Sequence, residues 1–224
     1  MKTKQMIGKL AVFAMAIALL LPGAAHAYPK QGWYLGAGAG ANFLQDNDVK
    51  IGATTNRIES DPGFLLDSSI GFGFESQLRP EFEIAYRRNT VDKNSGTGAG
   101  SPTGNFNSVA FMGNLFYDFQ TNSGLTPYLG VGAGGALIGA DDAGTVFGTK
   151  LINQPFEFAY QGIAGLSYEL SERWDVTADY RYFATLDPTY KTVAGVQTNE
   201  AEYRNHTFLL GLRYVFGVER EVPV

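Results

Sequence analysis

Two glycine-rich runs carry the spacing most suggestive of chemistry. Gly36-x-Gly38-x-x-Ala41 and Gly130-x-Gly132-x-x-Gly135 both match the fingerprint with which a strand-to-helix turn cradles a dinucleotide pyrophosphate. The motif needs a helix beginning at its end, because the helix amides hold the phosphates. Here Asn42-Phe-Leu-Gln-Asp-Asn-Asp48 and Ala140-Asp-Asp-Ala-Gly144 follow, and both read as loops. Nucleotide binding is therefore set aside. His206 stands beside Thr207 with no serine two places on, so a Ser-His-acid hydrolase set is not spelled out and His206 reads as a rim loop residue. Asp141-Asp142 and the scattered loop acids lack the ligand run of a calcium loop. No catalytic, cofactor-binding or metal-ligating set is assigned. The remaining candidates are charged residues at alternate positions: Glu83, Arg87, Asp179, Arg181 and Arg213.

The elements that position them have a period of two. Phe64, Leu66, Ile70, Phe72 and Phe74 alternate with Asp67, Ser69, Gly71, Gly73 and Glu75. The same alternation runs through Leu78–Arg87, Val109–Phe119, Phe156–Leu170, Trp174–Tyr182 and Phe208–Phe216. With Trp33–Leu44 and Tyr128–Ile138 there are eight such segments, and no stretch of helical period competes. Their connections alternate short and long. Gln77–Arg79, Gln120–Thr126 and Ser171–Arg173 are short, while 45–63, 89–107, 139–154 and 184–205 are long and polar. Antiparallel neighbours with tight turns at one end and long loops at the other make an all-β, eight-stranded up-and-down barrel.

The N-terminus sets the compartment. Lys2, Lys4 and Lys9, the apolar run Leu10–Leu21 and Ala25-His26-Ala27 make a secretory signal peptide over residues 1–27, with cleavage read at Ala25 and Ala27. The chain has no cysteine and a formal charge of −5. An exported, disulfide-free, acidic chain is held by its core or by a membrane, and nucleic acid is not its partner. A soluble lipocalin-like barrel and a membrane barrel both fit the alternation. Trp33, Tyr117, Phe119, Tyr168, Trp174, Tyr214 and Phe216 gather at the turn ends of the apolar parity, as an interfacial girdle requires, and favour the transmembrane β-barrel. An eight-stranded barrel has little internal room. Gly36, Gly38 and Gly40 on the first strand and Gly130, Gly132 and Gly134 on the fifth then leave space for long charged side chains from the others.

Gly32-Trp33-Tyr34-Leu35-Gly36, Phe82-Glu83-Ile84-Ala85-Tyr86 and the ending Leu210-Gly-Leu-Arg-Tyr-Val-Phe-Gly217 resemble the membrane domain of OmpA-like outer-membrane proteins, within the small outer-membrane β-barrel and surface-antigen group. The resemblance covers about Gln31 to Gly217. It implies a barrel over 28–217 in the outer membrane of a Gram-negative bacterium, among lipid and lipopolysaccharide. It also implies four surface loops that meet an unidentified surface ligand, and a short periplasmic tail at 218–224. The implied roles are envelope integrity or adhesion, or narrow gated conduction. Phe208, Leu210, Leu212, Tyr214 and Phe216 resemble the signal read by the outer-membrane assembly machinery. Lipid A modification, known among eight-stranded barrels, would need the absent His-Ser-acid set, so the chain is read as a monomeric non-enzyme with no cofactor. Of the family's interior ion-pair gate, Glu83 matches the third-strand glutamate, while Asn114, Ser167 and Thr177 stand at its other positions. Arg213 is expected to fill the space over Gly36 and Gly38 and to pair with Asp179 or Glu83.

Overall fold

The computed structural model describes residues 30–45, 47–51, 54–95, 104–121, 123–141, 156–186, 190–191, 197–198 and 203–216. The signal segment with Ala25 and Ala27, Asp142 and the tail 218–224 lie outside the described residues. The strands are β1 Gly32–Leu44, β2 Asn47–Ile51, β3 Thr54–Ser60, β4 Gly63–Gly73, β5 Leu78–Ser95 and β6 Gly104–Asp118. There follow β7 Leu125–Asp141, β8 Phe156–Glu169, β9 Trp174–Thr185, β10 Tyr190–Lys191, β11 Gln197–Thr198 and β12 Arg204–Val215. Eight of them, in the order β1-β4-β5-β6-β7-β8-β9-β12, pair antiparallel, and β12 pairs back onto β1 from Tyr34↔Val215 to Leu44↔Asn205. The barrel is closed, so this ring has no free edge.

Alternation decides the two faces as the sequence suggests. Trp33, Leu66, Phe82, Leu115, Val131 and Leu212 project outward, and Val131 and Leu210 are each 67 % exposed. Glu83, Arg87, Asn89, Met112 and Phe183 project inward and are fully buried. An apolar outside around a charged inside inverts the soluble pattern. At the end with the short turns, Trp33–Phe72, Phe72–Phe74, Tyr117–Phe119, Trp174–Tyr214 and Tyr214–Phe216 touch ring to ring, with centroids 4.8–5.4 Å apart. This is the expected girdle. The glycine runs lie within β1 and β7, and no helix occurs among the described residues.

The long connections are shorter than the sequence suggests. β5 continues to Ser95, β6 begins at Gly104 and β7 reaches Asp141, so part of the expected loops 89–107 and 139–154 is strand. The expected loop 45–63 holds the β2–β3 hairpin, and β10–β11 lies within 184–205. β3 pairs with β5 from Arg57↔Ser95 to Ser60↔Val91, just where β4, whose ladder tops out at Phe64↔Arg88, has stopped. Pro62 explains the interruption, because it has no N–H to give the ladder. These polar strands lack the apolar alternation of a half-buried sheet, so their pairing is invisible to a periodicity reading. His206, likewise, lies in β12 and not in a loop.

Candidate functional site: the charged lumen

The inward parity brings polar residues from all eight barrel strands into a space that water does not screen well. Arg181 is its centre. It projects from β9 and crosses the lumen to Glu83 on β5, the strand diametrically opposite, with Nη1–Oε2 at 2.9 Å. Its Nη2 lies 3.0 Å from Asp67 on β4, and its Nε lies 2.7 Å from Asp179 on its own strand. Asn114 and Gln161 donate to the same Glu83 oxygen at 2.8 and 3.3 Å, and Tyr128 donates to Asp179 at 3.1 Å. One cation thus holds three carboxylates, each braced or packed by its neighbours. Such charge-assisted bonds are strong where the dielectric is low.

A second layer lies toward the short turns. Arg79 on β5 grips Asp118 on β6 with two bonds, of 2.9 and 3.1 Å, and donates to Tyr34 at 2.8 Å. Tyr34 in turn donates to Glu81 at 2.7 Å. The Arg79 guanidinium also lies over the Phe116 ring, 4.2 Å from its centroid. Arg213 binds Asp175 at 3.1 Å and Ser167 at 2.7 Å. Lys30, just before β1, reaches the same Asp175 at 2.8 Å and the carbonyl of Ser171 at 2.6 Å, strapping the mouth. Two small cavities remain here. One of about 40 Å³ lies among Asp67, Asp179, Arg181 and Arg213, and one of about 20 Å³ lies among Lys30, Asp118, Ser167 and Asp175. Each holds no more than a few water molecules.

Toward the long connections the lumen turns apolar. Met112, Ile138, Phe183 and Tyr203 pack with Ala110, Ala136 and Ala159 into a plug. Beside it Asn42, Asn89, Asn205 and Thr207 bond to one another at 2.6–3.0 Å.

Of the sequence candidates, Glu83, Asp179 and Arg181 meet. Arg213 does not join them. Its direct cross-strand partner on β9 is Asp175, while Asp179 and Glu83 are already taken by Arg181. Arg213 does sit opposite Gly36, but the space over the glycines is filled otherwise. Ser69 occupies it at Gly36, Asp67 and Leu209 at Gly38. Among the described residues Arg87 makes no ion pair or hydrogen bond; it lies stacked on Phe183, 4.0 Å from the ring centroid. Its strand position puts it beside the apolar plug, above the carboxylates. Gly130 and Gly132 leave room for Phe116 and Asn114, not for long charged chains. Asp67, Arg79, Glu81, Asp118 and Asp175 were not among the candidates, though they stand on the same inward parity and that parity was their signal.

The model of the outer membrane protein β-barrel domain family matches residues 11–216. The chain belongs to that family. It is an outer-membrane β-barrel of Gram-negative type. A protein of Gluconacetobacter diazotrophicus described as "Outer membrane protein" is 28 % identical over 238 residues, covering 92 % of this chain and 63 % of the relative. The chain thus spans less than two thirds of that relative's length. Among solved structures, Neisserial surface protein A aligns with a TM-score of 0.55 and 22 % identity, over 84 % of this chain and all of the other. OprG from Pseudomonas aeruginosa aligns with a TM-score of 0.59 and 18 % identity, over 84 % of this chain and 97 % of the other. These likenesses establish the fold.

Proposed function

We propose that this outer-membrane barrel is a closed, surface-presenting protein that supports the envelope and offers its long-connection end to partners outside the cell. One observation carries the reading: Arg181 bridges opposite walls of the lumen below an apolar plug, so the barrel's interior is spent on holding itself shut. The chain extends instead beyond the rim, where β5, β6 and β7 rise past β4 and the β2–β3 hairpin builds onto β5. That end faces outward and the short turns face the periplasm, because both barrel termini lie at the short-turn end. A protease site inserted near Gly98 is expected to be cut on intact cells and one near Ser123 to be protected. The reverse pattern overturns the orientation.

Narrow, gated conduction is the second reading, favoured by the two polar cavities stacked in the short-turn half. A lipid A hydrolase is not our reading, since His206 engages Tyr180 at 2.7 Å and packs on Tyr182. Lipid A extracted from expressing cells is expected to keep its acyl pattern.

A further inference from the structure

Strand β1 is bare along the middle of its length. From Gly36 to Ala41 it offers Gly36, Gly38 and Gly40 to the lumen and Ala37, Ala39 and Ala41 to the outside. Cross-strand side-chain pairs stabilise a sheet, and glycine supplies none. Across β5–β6, by comparison, Ile84 faces Phe111, Glu83 faces Met112 and Pro80 faces Leu115. Along the closing seam between β1 and β12, Gly38 faces Gly211 and Ala39 faces Leu210, so the backbone ladder carries this stretch. Side chains hold β1 at its ends instead. At the long-connection end Asn42 donates to Asn205 on β12 at 3.0 Å and accepts from Thr207 at 2.7 Å, and all three are fully buried. At the short-turn end Tyr34 bonds away from the seam, to Arg79 and Glu81 on β5, and only its ring lies near Arg213, at 5.4 Å.

Lys30 closes that end. It stands just before β1, yet its Nζ bonds the Ser171 carbonyl, in the turn between β8 and β9, at 2.6 Å and Asp175 on β9 at 2.8 Å. Both partners lie beyond β12, which pairs with β9 through Arg213↔Asp175. The lysine therefore spans the last strand and clasps it from the first. Its side chain is 12 % exposed at the mouth, where salt can reach it. The strands on either side of the seam are braced without it. Arg181 on β9 binds Asp67 on β4 at 3.0 Å, behind both β1 and β12. The two seam strands can thus part from the short-turn end while the frame around them stands. We infer that the β1–β12 seam is the line along which this barrel opens, and that Lys30 is the latch on its short-turn end. Parting of the seam leaves the bridge from Arg181 to Glu83 in place, so the latch and the closed lumen fail separately.

The test uses the full chain folded in phosphatidylcholine nanodiscs and follows amide hydrogen exchange by mass spectrometry. Two regions are compared, each counted up from the short turns. One is the seam, Tyr34–Gly38 with Gly211–Val215, and the other is the β5–β6 ladder, Leu78–Phe82 with Gly113–Tyr117. In wild type the seam is expected to exchange faster than the ladder. Lys30→Met is expected to speed the seam about ten-fold further, the worth of one charge-assisted bond, and to leave the β5–β6 ladder unchanged. High salt should speed the wild-type seam and leave that of Lys30→Met where it is, a reading that needs no variant to fold. Heat-shifted gel mobility confirms that each sample is folded. A wild-type seam no faster than the β5–β6 ladder, a seam unmoved by both Lys30→Met and salt, or an equal rise in both regions each overturns the inference.

Discussion

Arg213 faces Asp175 directly across the β9–β12 ladder, its Nε 3.1 Å from the carboxylate, and Lys30 reaches the same carboxylate from the chain's start at 2.8 Å. One aspartate thus ties the last strand to the segment ahead of the first, close to the seam where the barrel closes. Asp175→Asn leaves both cations short of a partner. It is expected to cost about 3 kcal/mol in urea unfolding from lipid vesicles. The same change in an Arg213→Met background is expected to cost clearly less. Equal losses in the two backgrounds would mean that the pair is not coupled.

The two arginines at the middle of the lumen should respond in opposite ways to methionine. Arg181→Met strands Asp67, Glu83 and Asp179 together without their cation, and about 3–5 kcal/mol should be lost. Arg87→Met removes a buried charge that makes no hydrogen bond and leaves an apolar chain on Phe183, so stability should hold or rise. Chemical denaturation of the two folded variants decides it. A larger loss at Arg87 than at Arg181 would mean the network is wrongly drawn.

The glycines divide by what stands over them. A Cβ on Gly40 would strike the Phe208 carbonyl and lie 2.8 Å from Leu209 Cα, backbone that cannot step aside. A Cβ on Gly36 meets only the Ser69 hydroxyl within 3 Å, and one on the lipid-facing Gly162 meets nothing within 4 Å. Gly40→Ala is expected to lose about 1–3 kcal/mol and to lower assembled yield, Gly36→Ala less, and Gly162→Ala close to nothing. Yield of the heat-modifiable form ranks them.

On the lipid face Leu210 lies near the middle of β12 and is 67 % exposed. Leu210→Arg is expected to cost about 2–4 kcal/mol, and the same change at Phe216, at the strand's end, about 0–1 kcal/mol. Unfolding midpoints in vesicles give the comparison; equal costs would put Leu210 away from the hydrocarbon.

What the sequence disclosed follows from where its constraints are strict. Along β1, alternation of Gly36, Gly38 and Gly40 with Leu35, Ala37 and Ala39 tells inside from outside, because hydrocarbon and lumen ask for different side chains at every step. The closing register was legible too, since Gly36 does face Arg213. Partner choice in the lumen was not. Residues sharing the inward face differ in height by the barrel's stagger, which parity does not encode. Asp175 and Asp179 are therefore equivalent to a reader of parity, and only the ladder puts Asp175 beside Arg213. The continuation of β5 to Ser95 is hidden for another reason: Asn89-Thr-Val-Asp-Lys-Asn-Ser95 has no apolar alternation to betray a strand.

The closed lumen is tested most directly by single-channel recording of the folded, full-length chain in planar bilayers at moderate voltage. With Arg181 spanning from β9 to Glu83 on β5 beneath the Met112–Phe183–Tyr203 plug, the expected record is a flat baseline with no sustained openings. A steady, ohmic conductance from wild-type barrels whose folding has been verified by gel shift would contradict it and make gated conduction the better reading.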